Sequence, residues 1–404
     1  MREGELKTMD KEKHKVPNLR FKGFTDDWEK RKLGDFGKVA MNKRIFKNQT
    51  SDEGDVPFYK IGTFGGVADS YITKELFEEY KLKYPYPRKG DLLISASGSI
   101  GRVIEYNGKD EYFQDSNIVW LDHDNRLDNS FLKQFYNIIK WQGLEGSTIK
   151  RLYNKNILAT KIDVPSISEQ LRIGNFLQQF DTLITLHQQK LDRLNNLKKG
   201  LLQQMFADKD QKQPELRFKG FTDDWEQHKL GDLGSVQMNK RIFKDQTSES
   251  GEVPFFKIGT FGKKPDSFIT KKLFDEYKSK YPYPEVGDIL ISASGSIGRT
   301  VVYKGEDAYF QDSNIVWIEH DSRLKNSFLE QFLKRTKWNK IEGSTIKRLY
   351  NKDILNKKIN LPDQQEQSTI GNFFKQLDFL ITLHQRKLDS LNKLKTGLLQ
   401  QMFI

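Results

Sequence analysis

The chain has 404 residues, with 67 Lys and Arg against 55 Asp and Glu, a formal net charge of +12; at roughly 100–200 residues per domain this length allows two to four domains, and the positive balance favours a polyanionic partner such as nucleic acid. Zero cysteines exclude a disulfide framework and thiolate metal sites, and the six His stand singly, without metal-ligand spacing. No apolar run approaches the ~20 residues of a membrane-spanning helix, and the opening MREGELKTMDKEKHK lacks the apolar core of a signal peptide, so a soluble intracellular protein with a charged leader over 1–16 is expected.

From Pro17 onward the sequence is written twice. Pro17–Ala207 aligns without a gap on Pro214–Ile404 at a constant offset of 197 residues, and 58 of the 191 aligned positions differ. Each copy opens with a stretch rich in Gly, aromatic and β-branched residues, 17–165 and 214–362, read as a globular domain. Within the first, Gly90–Ser95 and Arg102–Tyr106 read as strands joined by a tight Ser97-Gly98-Ser99 turn, Asn117–Leu121 as a further strand and Asn129–Ile139 as a short amphipathic helix. The second copy repeats them as Gly287–Ser292, Arg299–Tyr303, Asn314–Ile318 and Asn326–Thr336. The class expected is α+β with antiparallel pairing. Trp28 and Trp225 are assigned to the core.

A long helix follows each domain, over 166–207 and 363–404, with the polar segment 208–213 as the linker between copies. Ser166-Ile167-Ser168-Glu169 and Asp363-Gln364-Gln365-Glu366 match the capping box, in which the first side chain takes a backbone N–H and the Glu reaches back. From there Ile173, Leu177, Phe180, Ile184, His187, Leu191, Leu194, Lys198, Leu201 and Met205 alternate steps of four and three, the spacing of a coiled-coil seam. Ile370, Phe374, Leu377, Ile381, His384, Leu388, Leu391, Lys395, Leu398 and Met402 repeat it, and Phe176, Leu183, Leu197, Phe373, Leu380 and Leu394 widen the stripe. The partner expected is the other long helix, packed antiparallel, and the unbroken length argues against a stripe that serves its own domain alone. Gly174, Gly200, Gly371 and Gly397 read as soft spots or points of close approach.

Motifs of catalysis are missing. Ala96-Ser97-Gly98-Ser99-Ile100-Gly101 looks like a degenerate dinucleotide loop, but a strand follows it, so no helix N-terminus is there to hold a pyrophosphate. The chain has no Walker A sequence, no Asp/Asn-Pro-Pro-aromatic motif of amino-group methyltransferases and no convincing nuclease carboxylate cluster. No catalytic, cofactor-binding or metal-binding residue is therefore assigned.

Leu19-Arg20-Phe21-Lys22-Gly23-Phe24-Thr25-Asp26-Asp27-Trp28-Glu29, then Lys32-Leu33-Gly34-Asp35, Gly90–Ser95 with Gly98 and Gly101-Arg102, then 146–152 and the Glu169-Gln170 helix, resemble the DNA-specificity subunit of Type I restriction-modification enzymes. The likeness covers nearly the whole chain, in both halves. It implies two tandem target-recognition domains separated by two long helices packed as an antiparallel coiled coil, a pseudo-two-fold internal repeat. It further implies that each domain reads one half of a split target in double-stranded DNA, within an assembly of two modification subunits and two restriction-motor subunits in a bacterial or archaeal cytoplasm. S-adenosylmethionine, ATP and Mg would belong to those partners, which would carry out adenine methylation and ATP-dependent cleavage. The competing readings are a free-standing two-headed DNA-binding regulator and a self-contained modification enzyme, the latter lacking its motif.

For such a role, Lys and Arg hold phosphates while Asn and Arg pair with adenine and guanine edges. The cluster Asn42, Lys43, Arg44, Lys47 recurs as Asn239, Lys240, Arg241, Lys244, and Lys150, Arg151, Asn154, Lys155 recurs as Lys347, Arg348, Asn351, Lys352. Each is compatible with DNA contact or with an ordinary solvated basic face. Arg102 and Arg299 fit either DNA contact or bracing of their loop, and Gln114-Asp115-Ser116-Asn117, with its copy 311–314, fits either base reading or an internal turn network. Because the domains are so alike, a near-palindromic split target is expected, broken where Gly66-Val67-Ala68 becomes Lys263-Lys264-Pro265 or Arg88-Lys89 becomes Glu285-Val286, should those positions face bases. The modification subunits are expected around Ser166–Phe180 and Asp363–Leu377.

Overall fold

The structure is a computed structural model, described here for residues 16–142, 150–208, 211–338 and 348–404. The leader up to residue 15, the first part of the 147–155 cluster, linker residues 209–210 and Lys347 lie outside the described residues. Two compact units emerge, one formed by the chain up to His187 together with Lys387–Ile404, the other by Gln188–Arg386.

In the first unit the chain order is β1 (Glu29–Lys32), β2 (Gly37–Ala40), β3 (Val56–Tyr59), β4 (Tyr71–Ile72), α1 (Lys74–Lys83), β5 (Leu92–Ser95), β6 (Val103–Glu105), β7 (Tyr112–Phe113), β8 (Ile118–His123), α2 (Asn129–Ile138), α3 (Asn154–Ala159), β9 (Lys161–Val164) and the first part, up to His187, of the long α4 (Ile167–Gln204). A four-stranded antiparallel sheet runs β2-β8-β5-β6, a three-stranded sheet runs β4-β3-β7, and β1 pairs with β9. The β3–β7 pairing is parallel, with Phe58 opposite Tyr112 and Tyr59 opposite Phe113, a departure from the expected antiparallel class. Parallel strands need a long crossover, and the chain from Lys60 to Glu111, containing α1, supplies it. α1 escapes a reading by periodicity because its buried apolar content is Phe77 alone; the Thr73 hydroxyl caps it by accepting from Leu76 N.

The second unit repeats this topology, with Gly234–Gln237, Ile315–His320, Ile289–Ser292 and Thr300–Val302 in the four-stranded sheet and Val253–Phe256 parallel to Tyr309–Phe310. The second long helix spans Gln364–Met402.

Each unit contains pieces of both long helices. In the first unit the core holds Trp28, Phe131, Ile173 and Leu177 together with Leu399, Met402 and Phe403; in the second, Trp225, Phe328, Ile370 and Phe374 together with Met205 and Phe206. Phe403 stacks on Phe131 at 5.0 Å between ring centroids, and Phe206 stacks on Phe328 at 4.9 Å. The expected seam positions are all buried or half-buried, and the ends of the stripes lie in the two domain cores. Leu183, Leu197, Leu380 and Leu394, expected to widen the stripe, are exposed. Lys395 pairs with Asp181 and Lys198 with Asp378, ammonium groups reaching carboxylates across each helix contact. Gly174 and Gly371 mark close approach: a Cβ at Gly174 would stand 1.9 Å from Ser130 Oγ, and one at Gly371 2.3 Å from Ser327 Oγ. Gly200 and Gly397 face nothing within 4 Å.

Glu169 and Glu366 do something other than close a capping box. Both are buried, and each binds an arginine 149 residues earlier through both oxygens: Arg20 at 2.7 and 2.8 Å, Arg217 at 2.8 and 2.7 Å. Trp225 Nε1 also donates to Glu366. The fork-to-fork geometry is a strong charge-assisted pair, and it clamps the opening Leu-Arg-Phe motif of each copy onto the start of its helix. Asp363 does cap, accepting from the N–H groups of Gln365 and Glu366.

Candidate nucleic-acid interface

The antiparallel order of the four-stranded sheet decides which loops meet. β2 and β5 end, and β6 and β8 begin, at one edge, since Ala40 lies opposite Trp120, Ser95 opposite Ile118 and Ile94 opposite Val103. That end therefore collects the 41–47 segment, the Ser97–Arg102 turn and the Gln114–Asn117 turn. Residues 151–155 join them because Leu152 N donates to Ala96 O at 2.8 Å. A groove of about 720 Å³ opens here, lined by Met41, Ser116, Arg151, Leu152, Tyr153, Asn154 and Lys155, so two clusters more than a hundred residues apart in sequence share one surface. In the second unit Leu349 N donates to Ala293 O at 2.7 Å and the same loops converge.

Hydrogen bonds lock this end. Ala96 N donates to Asn117 O, and Ser97 Oγ donates to Asn117 Oδ1 at 2.7 Å. Ser116 and Ser313 hold φ of 51° and 53°, the only non-glycine residues with positive φ among those described, a conformation that costs a side-chain-bearing residue about 1–3 kcal/mol. Arg151 holds the first, its Nη2 donating to Ser116 O, Ser116 Oγ and Asn117 Oδ1 at 3.1–3.2 Å; Arg348 holds the second through Ser313 O at 3.0 Å and Oγ at 2.6 Å. Gln114 Oε1 accepts from Ile61 N, and Gln311 Oε1 from Ile258 N. Of the two roles open to this turn, the structure supplies the internal network.

The 41–47 segment is pinned from below. Tyr112 and Tyr309 donate to Lys43 O and Lys240 O, and burial pushes both phenols well above their usual range, so they remain donors. Asn42 and Asn239 are each 2% exposed, and Asn239 Nδ2 donates to Pro282 O, so neither amide faces solvent. The neighbouring cations do face out. Lys43 lies 4.9 Å over the Tyr84 ring and Arg44 5.7 Å over Phe46, with Lys240 over Tyr281 and Arg241 over Phe243 in the copy. Phe46 and Phe243 are 56% exposed. Lys47, Lys150, Asn154, Lys155, Lys244, Asn351 and Lys352 are exposed as well, Lys155 and Lys352 lying over Tyr153 and Tyr350. The exposed Tyr84, Tyr153 and their copies belong to this surface but carry no motif; an aromatic next to a lysine in a loop was their one signal.

Arg102 and Arg299 brace their loop, Arg102 Nη2 donating to Gly65 O at 3.2 Å and Arg299 Nη1 to Phe261 O at 2.8 Å, while Arg102 stays exposed. Arg88, by contrast, stands at the far end of the sheet, bonded to Asp122 near the end of β8. No helix of the described residues is long and apolar enough to cross a membrane, and no group of three or more metal-ligating side chains occurs among them.

A family model described as the Type I restriction modification DNA specificity domain matches residues 25–196 and again 222–393. A putative type I restriction enzyme specificity subunit of Haemophilus influenzae is 59% identical over 152 residues, 37% of this chain and 40% of that protein. Another from Methanocaldococcus jannaschii is 27% identical over 413 residues, covering 92% of this chain and 91% of that one. Among solved structures, the S subunit of a Type I restriction-modification system from M. genitalium superposes with a TM-score of 0.66 over 96% of this chain and 99% of its own, at 19% identity, a likeness of fold.

Proposed function

Since the chain belongs to the family of Type I restriction modification DNA specificity domains and is a specificity subunit, we propose that each unit reads one half of a split DNA target with the sheet end where residues 41–47, 97–102, 114–117 and 150–155 converge. The observation that carries this reading is that these four segments are identical in the two copies although 58 of 191 positions differ elsewhere, and that three of them, through Met41, Ser116 and 151–155, line one groove. Exposed cations supply phosphate affinity, and the fixed backbone around Ser116 and Ser313 supplies the rigidity that base reading needs. Identical reading segments favour half-sites that are the same or nearly the same word on opposite strands, as symmetric proteins favour palindromes. Two heads on one face of the duplex favour centres about one turn, roughly 10 bp, apart.

The chain itself performs no chemistry in this reading. Two modification subunits dock around Ser166–Phe180 and Asp363–Leu377 and use S-adenosylmethionine to methylate adenine. Two restriction subunits supply ATP- and Mg-dependent cleavage, and the assembly works in a prokaryotic cytoplasm. Co-expression with a candidate modification subunit, followed by single-molecule sequencing of host DNA, tests the reading. A split, near-palindromic methylated word is the expected result. Two unrelated half-words would sink the symmetry argument, and absence of new methylation despite tight specific binding by the chain alone would favour a regulator.

A further inference from the structure

The two copies are natural controls for each other. Their reading segments are the same, yet the triplet after a positive-φ glycine differs completely, Gly66-Val67-Ala68 against Lys263-Lys264-Pro265. The backbone there is conserved in shape: Gly66 N donates to Thr63 O at 2.9 Å and Lys263 N to Thr260 O at 2.8 Å. Its place is fixed by the bracing arginines, because Arg102 holds Gly65 O and Arg299 holds Phe261 O. Arg102 and Arg299 directly precede β6 and its copy, so the triplet lies beside that edge strand, held by an arginine that reaches it from the reading end of the sheet.

The surroundings change with it. In the first unit Gly65 and Gly66 border a cavity of about 230 Å³ shared with Glu105 and Glu111; the second copy has Val302 and Ala308 at those positions. At positions 66, 67, 105 and 111 the first copy carries a charge of −2, and at their counterparts the second carries +2, while the loop after β6 changes by one in the other direction, Asn107 and Lys109 becoming Lys304 and Glu306. Lys263 and Lys264 are exposed and make no ion pair among the described residues, whereas the nearby Asp266 is engaged by Lys257 at 2.9 Å. Lysine is a hydrated point charge on a flexible stem without arginine's rigid fork, which suits it to a phosphate.

We propose that Lys263 and Lys264 grip the DNA backbone beside the second half-site with two phosphate contacts that the first unit lacks, so the two domains read like words with unequal hold. This rests on the reading that the shared sheet end faces DNA. It differs from the expectation that the triplet breaks the palindrome at a base pair, and it assigns no such part to Glu285-Val286, whose counterpart Arg88 lies at the opposite end of the sheet.

The test uses the full chain assembled with its modification subunit and a duplex carrying the word obtained by methylation sequencing, with affinity followed by fluorescence anisotropy as salt rises. Replacing the triplet by its counterpart, K263G/K264V/P265A, is expected to flatten the slope of log affinity against log salt by about 1.8, since each phosphate contact contributes about 0.9; over a rise from about 50 to 200 mM the loss of affinity shrinks about twelve-fold. The reciprocal G66K/V67K/A68P steepens the slope by a similar amount. Each variant imports a segment that the other copy already folds, and the methylated word stays the same. Unchanged slopes in both variants, or a changed base in one half of the word, would overturn the proposal while leaving the specificity role intact. If the assembly with the unaltered chain methylates no split word, the parent reading fails first and the proposal with it.

Discussion

Phe403, next to the last residue, closes the core of the first unit. It is 8% exposed, stacked on Phe131 at 5.0 Å with 21° between rings and edge-on to Trp28 at 6.2 Å, while Leu19 N donates to Gln401 O beside it. Replacing it by alanine removes a buried aromatic and leaves a cavity whose walls are two large rings, a change worth about 3–5 kcal/mol, of which the two aromatic pairs account for about 0.5–1.5 kcal/mol each. A domain with about 5–15 kcal/mol of stability loses a large share of it. The loss should be local, because the equivalent plug of the second unit is Phe206, stacked on Phe328. Hydrogen exchange resolves the two: in F403A, amides of Leu92–Ser95 and Ile118–His123 lose protection while those of Ile289–Ser292 and Ile315–His320 keep theirs, and F206A shows the reverse. Equal loosening of both units by F403A, or a loss under about 1 kcal/mol in the first, would refute the assignment of the chain end to that core.

Three other outcomes follow from contacts. G174A forces a Cβ against Ser130 Oγ and destabilises the first unit by about 1–3 kcal/mol, whereas G200A, with nothing within 4 Å, raises the melting temperature through about 1 kcal/mol of helix propensity; thermal melts of both variants check the contrast. R151A and R348A release the positive-φ serine turns, removing charged hydrogen bonds of about 1.5–3 kcal/mol, so specific binding weakens tenfold or more while nonspecific binding holds, and lysine at either position fails to restore it because one ammonium cannot span the contacts around Ser116 or Ser313. Burial pushes the Asp378 carboxyl up, but Lys198 and Lys334 outweigh it and hold it below the usual carboxylate range; a carboxyl depressed on folding stabilises above its unfolded value near pH 4 and loses that contribution as pH falls through the folded value, so D378N should flatten the acid limb of the second unit's unfolding curve.

How far the sequence could be read depends on the range of the signal. The repeat, the strands Leu92–Ser95 and Ile118–His123, and the inward seam from Ile173 to Met205 all follow from periodicity among near neighbours. What escaped is long-range pairing. Glu169 sits three residues from Ser166 and so imitates a capping box, yet its carboxylate belongs to Arg20 across the whole domain; no local pattern encodes that choice. The same limit governs the interface. Asn42, Arg44, Arg151 and Asn154 are all repeated without change, and repetition alone cannot separate a residue kept for reading DNA from one kept for holding the reader in place. Burial and partners differ among them: Asn42 is sealed inside and Arg151 is bonded to the Ser116 turn, while Arg44 and Asn154 are exposed at the same end. An interface that reads bases needs both kinds of residue, because a bidentate contact discriminates only if its donor is held within a fraction of an ångström. In the reading proposed above, the strain at Ser116 and Ser313, which periodicity cannot reveal, belongs to the scaffold, and the exposed cations over aromatic rings belong to the surface it holds.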